Sequence, residues 1–356
     1  MNYLIKNKFW KNKKVFVTGH TGFKGSWLCI FLNLLGAEVT GYALKPKTKP
    51  NLFTLAEVKK TLKKSIIGDI RDYKKLSKEI KNSKASILFH LAAQPLVRVS
   101  YSEPHETFDV NTRGTLNILE AIRKNAKIKS SIIITTDKVY DISKNKIFKE
   151  TDRLGGIDPY SASKVCCEYI FFSYQNSFFK NSFQKLATVR AGNVIGGGDY
   201  SLDRLIPDIY RSAKKNKNII LRNPNSVRPW QHILEPLSGY LLLAEKLFNN
   251  QLTSQIQNWN FAPNLSSCKS VKYVASRFAK SLKLKIKFFD KKKSSSSETD
   301  FLRLSNFKAK KYLNWRPKWH LNKSIEKIIE WNKKSTNGNL LMTCKSQIKE
   351  FLRVRN

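Results

Sequence analysis

Apolar and polar positions along the first half of the chain follow two recurring periods. Lys14 to Thr18 is a short apolar run ending at Gly19, the form of a buried strand. Gly25 to Leu35 is apolar almost throughout and stops at Gly36, which predicts a buried helix. Further strands are expected over Glu38 to Leu44, Ser65 to Asp69, Ser86 to Ala93, Ser131 to Thr136 and Leu186 to Arg190. Between them, Asn111 to Lys124 and Ser161 to Phe172 carry helical periodicity. Strands alternating with helices predict an α/β chain built on a Rossmann-type doubly wound parallel sheet. Beyond Arg190 the pattern becomes irregular, with Gly196-Gly197-Gly198 and scattered prolines. A smaller, loop-rich lobe is expected there, interleaved with late elements of the first. Lys291 to Ser297 is low-complexity and reads as a mobile loop, and no internal repeat is visible.

Composition narrows the class. The 356 residues are 41% hydrophobic, enough for one large core or two unequal ones. No apolar run reaches about 18 residues, so no membrane span is expected. Met1 to Trp10 is polar and lysine-containing, unlike a secretory leader. The five cysteines, Cys29, Cys166, Cys167, Cys268 and Cys344, form no CxxC pair, which fits a reducing cytosol without a disulfide framework or zinc site. The formal charge of +40 is spread over the whole chain in short lysine groups, and no nucleic-acid-reading motif accompanies it. It is read as a solvated basic surface whose diffuse field draws in a diphosphate.

Two motifs carry chemistry. In Val17-Thr18-Gly19-His20-Thr21-Gly22-Phe23-Lys24-Gly25, between the first strand and first helix, each glycine has a separate task. Gly19 permits the tight turn, Gly22 the approach of a pyrophosphate, and Gly25 the close packing of helix on strand. The helix N-terminus then offers free N–H groups and a positive dipole to the phosphates. The acidic residue often found at the end of strand two is replaced by Tyr42-Ala43-Leu44-Lys45, where Lys45 suits a 2′-phosphate or simply the surface. Asp69, after the third strand, reads either as an adenine or ribose contact or as a turn former. The second motif, Tyr160-Ser161-Ala162-Ser163-Lys164, sets two side chains four apart on one helix face. A neighbouring ammonium lowers a tyrosine's pKa from about 10, fitting it to take a hydroxyl proton while hydride leaves for nicotinamide.

With the glycine loop and Tyr-x-x-x-Lys in this order, the chain resembles extended short-chain dehydrogenase/reductases. Its longer strings are similar to the CDP-glucose 4,6-dehydratase family: FWKNKKVFVTGHTGFKGSW, FHLAAQPLVRVSY, TTDKVY, DPYSASK, RAGNVIGGGDYSLDRLIPD and NPNSVRPWQHILEPLSGY. The resemblance implies conversion of CDP-glucose to a 4-keto-6-deoxy sugar with loss of water, for deoxysugar and O-antigen precursors. It implies NAD held by Gly19, Thr21, Gly22, Phe23, Gly25, Asp69, Ala92, Tyr160 and Lys164, and no metal. Tyr160 matches the base at C4 and Lys164 its partner; Thr136 matches the residue that bonds the 4-hydroxyl. Asp137 and Lys138 match the acid and base positions for losing water. Gln94, Asn193, Arg204, Arg228 and Trp230 are placed on the substrate. The implied division is an NAD-binding domain over 1–190 plus about 229–258, and a nucleotide-sugar domain over 191–228 and 259–343. Apolar surplus on the Cys166 to Phe172 helix and the Asn111 to Lys124 helix suggests a homodimer or homotetramer.

The chain departs from the family pattern at Ser294 to Ser297, which precede Glu298, and at Ser305. Blander roles are assigned elsewhere: core or interface packing to Cys166 and Cys167, the core to His90, and anchoring to Trp315, Trp319 and Trp331. His20 is read as either a cofactor contact or structural. Alternatives are another nucleotide-sugar dehydratase or epimerase of the same fold, and a basic nucleic-acid-associated protein with a lapsed site. The Thr136-Asp137-Lys138 run speaks against the epimerase, and retention of Tyr160, Lys164 and Asp137 speaks against the lapsed site.

Overall fold

The computed structural model describes residues 7–143, 146–221, 223–252, 257–288, 302–335 and 338–354. The low-complexity run Lys291 to Ser297 and Glu298 lie outside the described residues. Seven parallel strands form the central sheet: β1 (Lys14–Thr18), β2 (Glu38–Ala43), β3 (Lys64–Ile67), β4 (Ile87–His90), β5 (Ser130–Ile134), β6 (Lys185–Ala191) and β7 (Asn258–Phe261). Their order across the sheet is β3-β2-β1-β4-β5-β6-β7, so the direction of winding reverses between β1 and β4. That reversal opens a crevice beyond the carboxyl ends of the strands, where ligands of such sheets bind.

Alternation along the strands sends side chains to two separate cores. Val15, Val17, Phe89 and Ile132 point into one, while Phe16, Leu88 and Ile133 point into the other. The first core is covered by α1 (Phe23–Leu34) and α6 (Leu234–Phe248). The second is covered by α2 (Tyr73–Ser83), α3 (Gly114–Arg123) and α4 (Pro159–Tyr174). A third cluster, built on α5 (Leu205–Lys214) and α7 (Val271–Leu282), forms the smaller lobe. Among its members are Ile206, Ile209, Trp230, Val274 and Phe278.

The six strands and three helices expected before residue 191 all form, with ends shifted by at most three residues, except that regular α-helix starts at Gly114 rather than Asn111. Asp109–Arg113 is instead a wider π-type turn feeding α3. The later chain differs more. β7 crosses the boundary expected at 258, pairing Asn258 to Phe261 with Thr188 to Ala191. Asn258-Trp259-Asn260-Phe261 lacks a β-branched run; tertiary pairing, and the burial of Trp259 and Phe261, make it a strand. The segment after 309 also returns to the first core, through Trp315, Trp319 and Trp331 and through Cys344 on α9 (Leu340–Arg353). Helix α8 (Leu321–Lys334) serves both, with Leu321, Ile325 and Ile328 in the smaller lobe and Trp331 in the first core. No helix among the described residues is long and apolar enough to cross a membrane.

Closeness of helix to strand at the start of α1 is a steric limit. Gly19 has φ +75°, and a Cβ there would sit 2.7 Å from the Ala92 nitrogen. A Cβ on Gly25 would lie 2.0 Å from the Gly19 carbonyl oxygen, whereas one on Gly22 would meet that oxygen at 3.4 Å. Gly25→Ala should therefore cost about 2 kcal/mol or more through overpacking, and Gly22→Ala less than about 1 kcal/mol. Urea unfolding of the two variants would show that order; equal midpoints would remove the steric account.

Candidate active site

A cavity of about 450 Å³ lies beyond the carboxyl ends of β5 and β6. Its wall includes Thr136, Asp137 and Lys138 after β5, Tyr160 on α4, and Asn193 after β6, with Arg204, Arg228 and Trp230 from the smaller lobe.

Each element is set by local chemistry. Asp158 caps α4, accepting from the Ser161 N–H at 2.9 Å, and Pro159 opens the helix. Tyr160 thus falls in the first turn, with Lys164 one turn on. Thr136 begins a tight turn over Asp137–Val139 and donates to Asp137 Oδ1 at 3.1 Å. The same hydroxyl favours the phenolate of Tyr160. Arg228 sits on a short strand, Val227–Pro229, paired with Cys268–Ser270, and the Trp230 indole donates to the Lys269 carbonyl at 2.8 Å. Arg204 pairs with Asp199 at 3.2 Å.

Behind this wall lies a buried ion pair. Glu168, one turn beyond Lys164, accepts from Thr135, from Thr188 at 2.9 Å, and from Arg190 Nε at 2.8 Å and Nη2 at 2.9 Å. Arg190 also donates to the Tyr140 hydroxyl at 3.0 Å, which donates to Asn260 on β7 at 2.7 Å. The cluster ties α4 to β6 and β7 and to the residue preceding Thr136.

Burial governs the protonation states. It raises the Asp137 carboxyl, against the opposing pull of Lys138, Thr136, Lys24 and Arg228. It pushes the Tyr160 phenol up to about 12, although the Thr136 hydroxyl and Arg204 favour the phenolate. This corrects the expectation that Lys164 lowers it. The Lys164 ammonium lies against the Ile134 carbonyl, at 3.4 Å, and is itself lowered by burial.

The dinucleotide cradle is a separate feature. Gly19, Thr21, Gly22, Phe23, Gly25, Asp69, Ala92 and Lys164 are not on the cavity wall. Gly19 and Ala92 meet where β1 and β4 end, and no side chain caps α1 at Gly22. A backbone free of Cβ atoms before an uncapped helix start fits a pyrophosphate. Thr21 donates to the Leu44 carbonyl at 2.8 Å, bracing the loop against the end of β2. Asp69 is held by Arg71, whose N–H it accepts at 2.9 Å as in a turn and whose guanidinium it meets at 2.7 Å. Gln94 is not brought to the cavity. It is buried, donating to Thr107 at 2.9 Å and to the Leu96 carbonyl and accepting from the Leu96 N–H. Ser305 directly follows the short strand Arg303–Leu304, its N–H bonded to the Phe148 carbonyl. His20 is structural: it bonds Ser65 at 2.7 Å, and burial lowers it to about 4. His90 is buried and bonds Thr18 at 2.8 Å. Cys167 and the three tryptophans Trp315, Trp319 and Trp331 are also buried.

Among the cavity residues given no role from sequence is Lys24. Its signal was available: it is the only Lys, Arg, Asp or Glu between Lys14 and Glu38.

A parallel sheet, a glycine cradle and a Tyr-x-x-x-Lys helix around one crevice define the short-chain dehydrogenase/reductase class. Within that class, a family model described as GDP-mannose 4,6 dehydratase matches residues 16–328. CDP-glucose 4,6-dehydratase of Salmonella typhimurium is 42% identical over 357 residues, spanning 98% of this chain and 99% of that protein. The dTDP-D-glucose 4,6-dehydratase of Homo sapiens is 26% identical, spanning 90% and 89%. A solved structure of DesIV, a dTDP-glucose 4,6-dehydratase from Streptomyces venezuelae with NAD and TYD bound, shares the fold. Its TM-score is 0.76 at 19% identity, covering 90% of this chain and 97% of that one. The chain belongs to this nucleotide-sugar 4,6-dehydratase family.

The buried pair behind the site has a stability signature. Although burial alone would raise Glu168, Arg190, Thr135 and Thr188 hold its carboxyl below the ordinary value. Its stabilisation is therefore full above the usual carboxylate range and lost as pH falls through the lowered value. Glu168→Gln should cost about 3 kcal/mol near neutrality by leaving Arg190 uncompensated, and less in strong acid. Urea unfolding across pH checks this; a cost independent of pH would contradict it.

Proposed function

We propose that the chain is a hydro-lyase that converts CDP-D-glucose to CDP-4-dehydro-6-deoxy-D-glucose and water. The observation that carries this reading is the meeting of Thr136, Asp137, Lys138 and Tyr160 in one cavity with the cations Arg204 and Arg228. The 42% identity to a CDP-glucose 4,6-dehydratase supports the nucleotide.

NAD, when bound in the cradle, supplies the reversible removal of hydride from C4 and its return at C6. The chain's own residues handle protons and position. Tyr160 takes the C4 hydroxyl proton once its phenolate is favoured over the effect of burial, by the Thr136 hydroxyl and Arg204 and by the positive charge that bound NAD would bring; Thr136 also bonds Asp137. Lys164 orients the cofactor one turn below. Once C4 is a ketone, C5–H is acidic and Lys138 removes it. Asp137, whose burial favours the proton-bearing form, protonates the departing C6 oxygen. Arg228, Asn193, Arg204 and Trp230 hold the diphosphate and nucleotide side. NAD is assigned over NADP because a redox-neutral cycle draws on neither pool; Lys45 is exposed beyond β2. The cofactor domain comprises 1–190 with about 229–261 and the return of the chain after 309, and the nucleotide-sugar domain comprises 191–228 with the stretch between 261 and 309, α8 being shared by both. Exposed Leu116 on α3 and Tyr169 and Phe172 on α4 suit a homodimer or homotetramer face. Five unpaired cysteines suit the cytosol.

Incubation with CDP-, dTDP-, GDP- and UDP-hexoses should yield a 4-keto product best from CDP-glucose, without build-up of free NADH. Preference for dTDP-glucose, or stoichiometric NADH, would overturn the assignment. Tyr160→Phe should bind substrate yet fail to oxidise C4 in a single turnover; wild-type oxidation would remove Tyr160 as the base.

Lys138→Ala separates the two half-reactions. It should still oxidise C4 but no longer exchange the C5 hydrogen with deuterated water. Normal exchange would leave Lys138 as an electrostatic helper to the enolate.

A further inference from the structure

Lys24 stands in the first turn of α1, inside the glycine loop, yet its neighbours Gly19 and Gly22 are absent from the cavity wall that it lines. The side chain therefore faces the sugar side of the crevice rather than the cradle alone. Among the described residues it makes no hydrogen bond and no ion pair. Asp137 Oδ2, on the same wall, is buried without a hydrogen-bond partner, and a Cβ built on Gly192 would approach it to 3.3 Å. A lysine without a direct partner and a carboxyl with one oxygen left unsatisfied, on the wall of one cavity, are costly unless they serve each other or a ligand.

We infer that Lys24 is a positioning cation of the catalytic centre, balancing the charge of Asp137 while water is lost from the sugar. The inference rests on the reading of the site as a dehydratase.

The field around both groups is specific. Burial, with repulsion from Arg204, takes Lys24 down to about 8, against attraction by Asp137; Lys164 adds repulsion and Asp199 attraction. Asp137 feels Lys138, Lys24 and Arg228, and it in turn raises Tyr160 and Tyr240. Without a cation beside it, a buried carboxylic acid holds its proton too tightly to release it.

In the dehydration step the Asp137 proton passes to the C6 oxygen and the C6–O bond breaks. The C5–H bonding pair becomes the C5–C6 double bond, and the C5 proton goes to Lys138. The new Asp137 carboxylate faces Lys24. The proton that Tyr160 took from the C4 hydroxyl then restores Asp137 by way of the Thr136 hydroxyl, which bonds Asp137 and influences the Tyr160 phenol. Return of the Lys138 proton to C5 closes the cycle without an outside acid.

The test is a single turnover of the NAD-loaded protein with CDP-glucose, resolving C4 oxidation from dehydration across pH. Lys24→Met, Lys24→Gln and Lys24→Arg are compared, with thermal melting as the check on folding. Asp137 acts in its protonated form, so dehydration fails on the alkaline side. Loss of the cation in Lys24→Met and Lys24→Gln should move that alkaline limb up by about one pH unit, with C4 oxidation retained. Lys24→Arg should keep the wild-type limb. An unmoved limb in the folded neutral variants, an equal shift in Lys24→Arg, or equal loss of oxidation and dehydration would overturn the inference alone. A wild-type protein that gives no 4-keto product would overturn the dehydratase reading, and this inference with it.

Discussion

The interior ion pair between Glu168 and Arg190 is the joint on which the site is hung. A carboxylate taken out of water is tolerated only where its lone pairs are filled, and here Thr135, Thr188 and the Arg190 guanidinium fill them. Each donor belongs to a different part of the wall. Thr135 precedes Thr136 and Asp137, while Thr188 and Arg190 lie on β6, which leads to Asn193. Glu168 itself is one turn beyond Lys164 on the helix that bears Tyr160. A single saturated carboxylate thus holds the proton-handling residues in register, and Tyr140 and Asn260 extend that register to β7 at the sheet edge.

In front of this joint, the cavity is a region of competing fields. Lys24, Lys138, Arg204 and Arg228 line it, and Lys164 lies just behind. Asp199 is turned toward Arg204 and Ser201, leaving Asp137 as the carboxyl exposed to the combined pull of Lys138, Lys24 and Arg228. Burial drives the Asp137 carboxyl and the Tyr160 phenol toward their neutral forms, and Lys24 and Lys164 toward theirs. The acids of the site therefore keep their protons more firmly and the two lysines less firmly than in water, which narrows the difference between them, as a reaction that moves protons and returns them requires. Arg204 and Arg228 on the smaller-lobe side also match a substrate that brings a diphosphate.

The glycine loop meets a different constraint, which is volume. Where β1, β4 and α1 converge, the Gly19 carbonyl occupies the space in which a Gly25 side chain would stand. The helix start can therefore come down on the strand ends and present its amides at the crevice between β1 and β4. The same convergence brings Lys24 to the cavity, one residue before Gly25.

Local signals determined much of this. Runs of apolar residues too short for helices, punctuated by glycine, marked β1 to β6, because a strand buried on both faces must be apolar throughout. The spacing of Tyr160 and Lys164 placed both on one face of α4, because helical periodicity is a property of the chain itself. Tertiary structure decided the rest. β7 is a strand because β6 offered an edge to pair with, and the tryptophans near the C-terminus belong to the first core because α1 and α6 left a face to cover. Gln94 carries a family string yet turns inward, because Thr107 and the Leu96 backbone satisfy its amide. Protonation was the least legible of all. The sequence set Lys164 near Tyr160, but whether a phenol, carboxyl or amine keeps its proton depends on how completely water is excluded and which charges face it. Those are sums over residues distant in the chain, and folding alone brings them together.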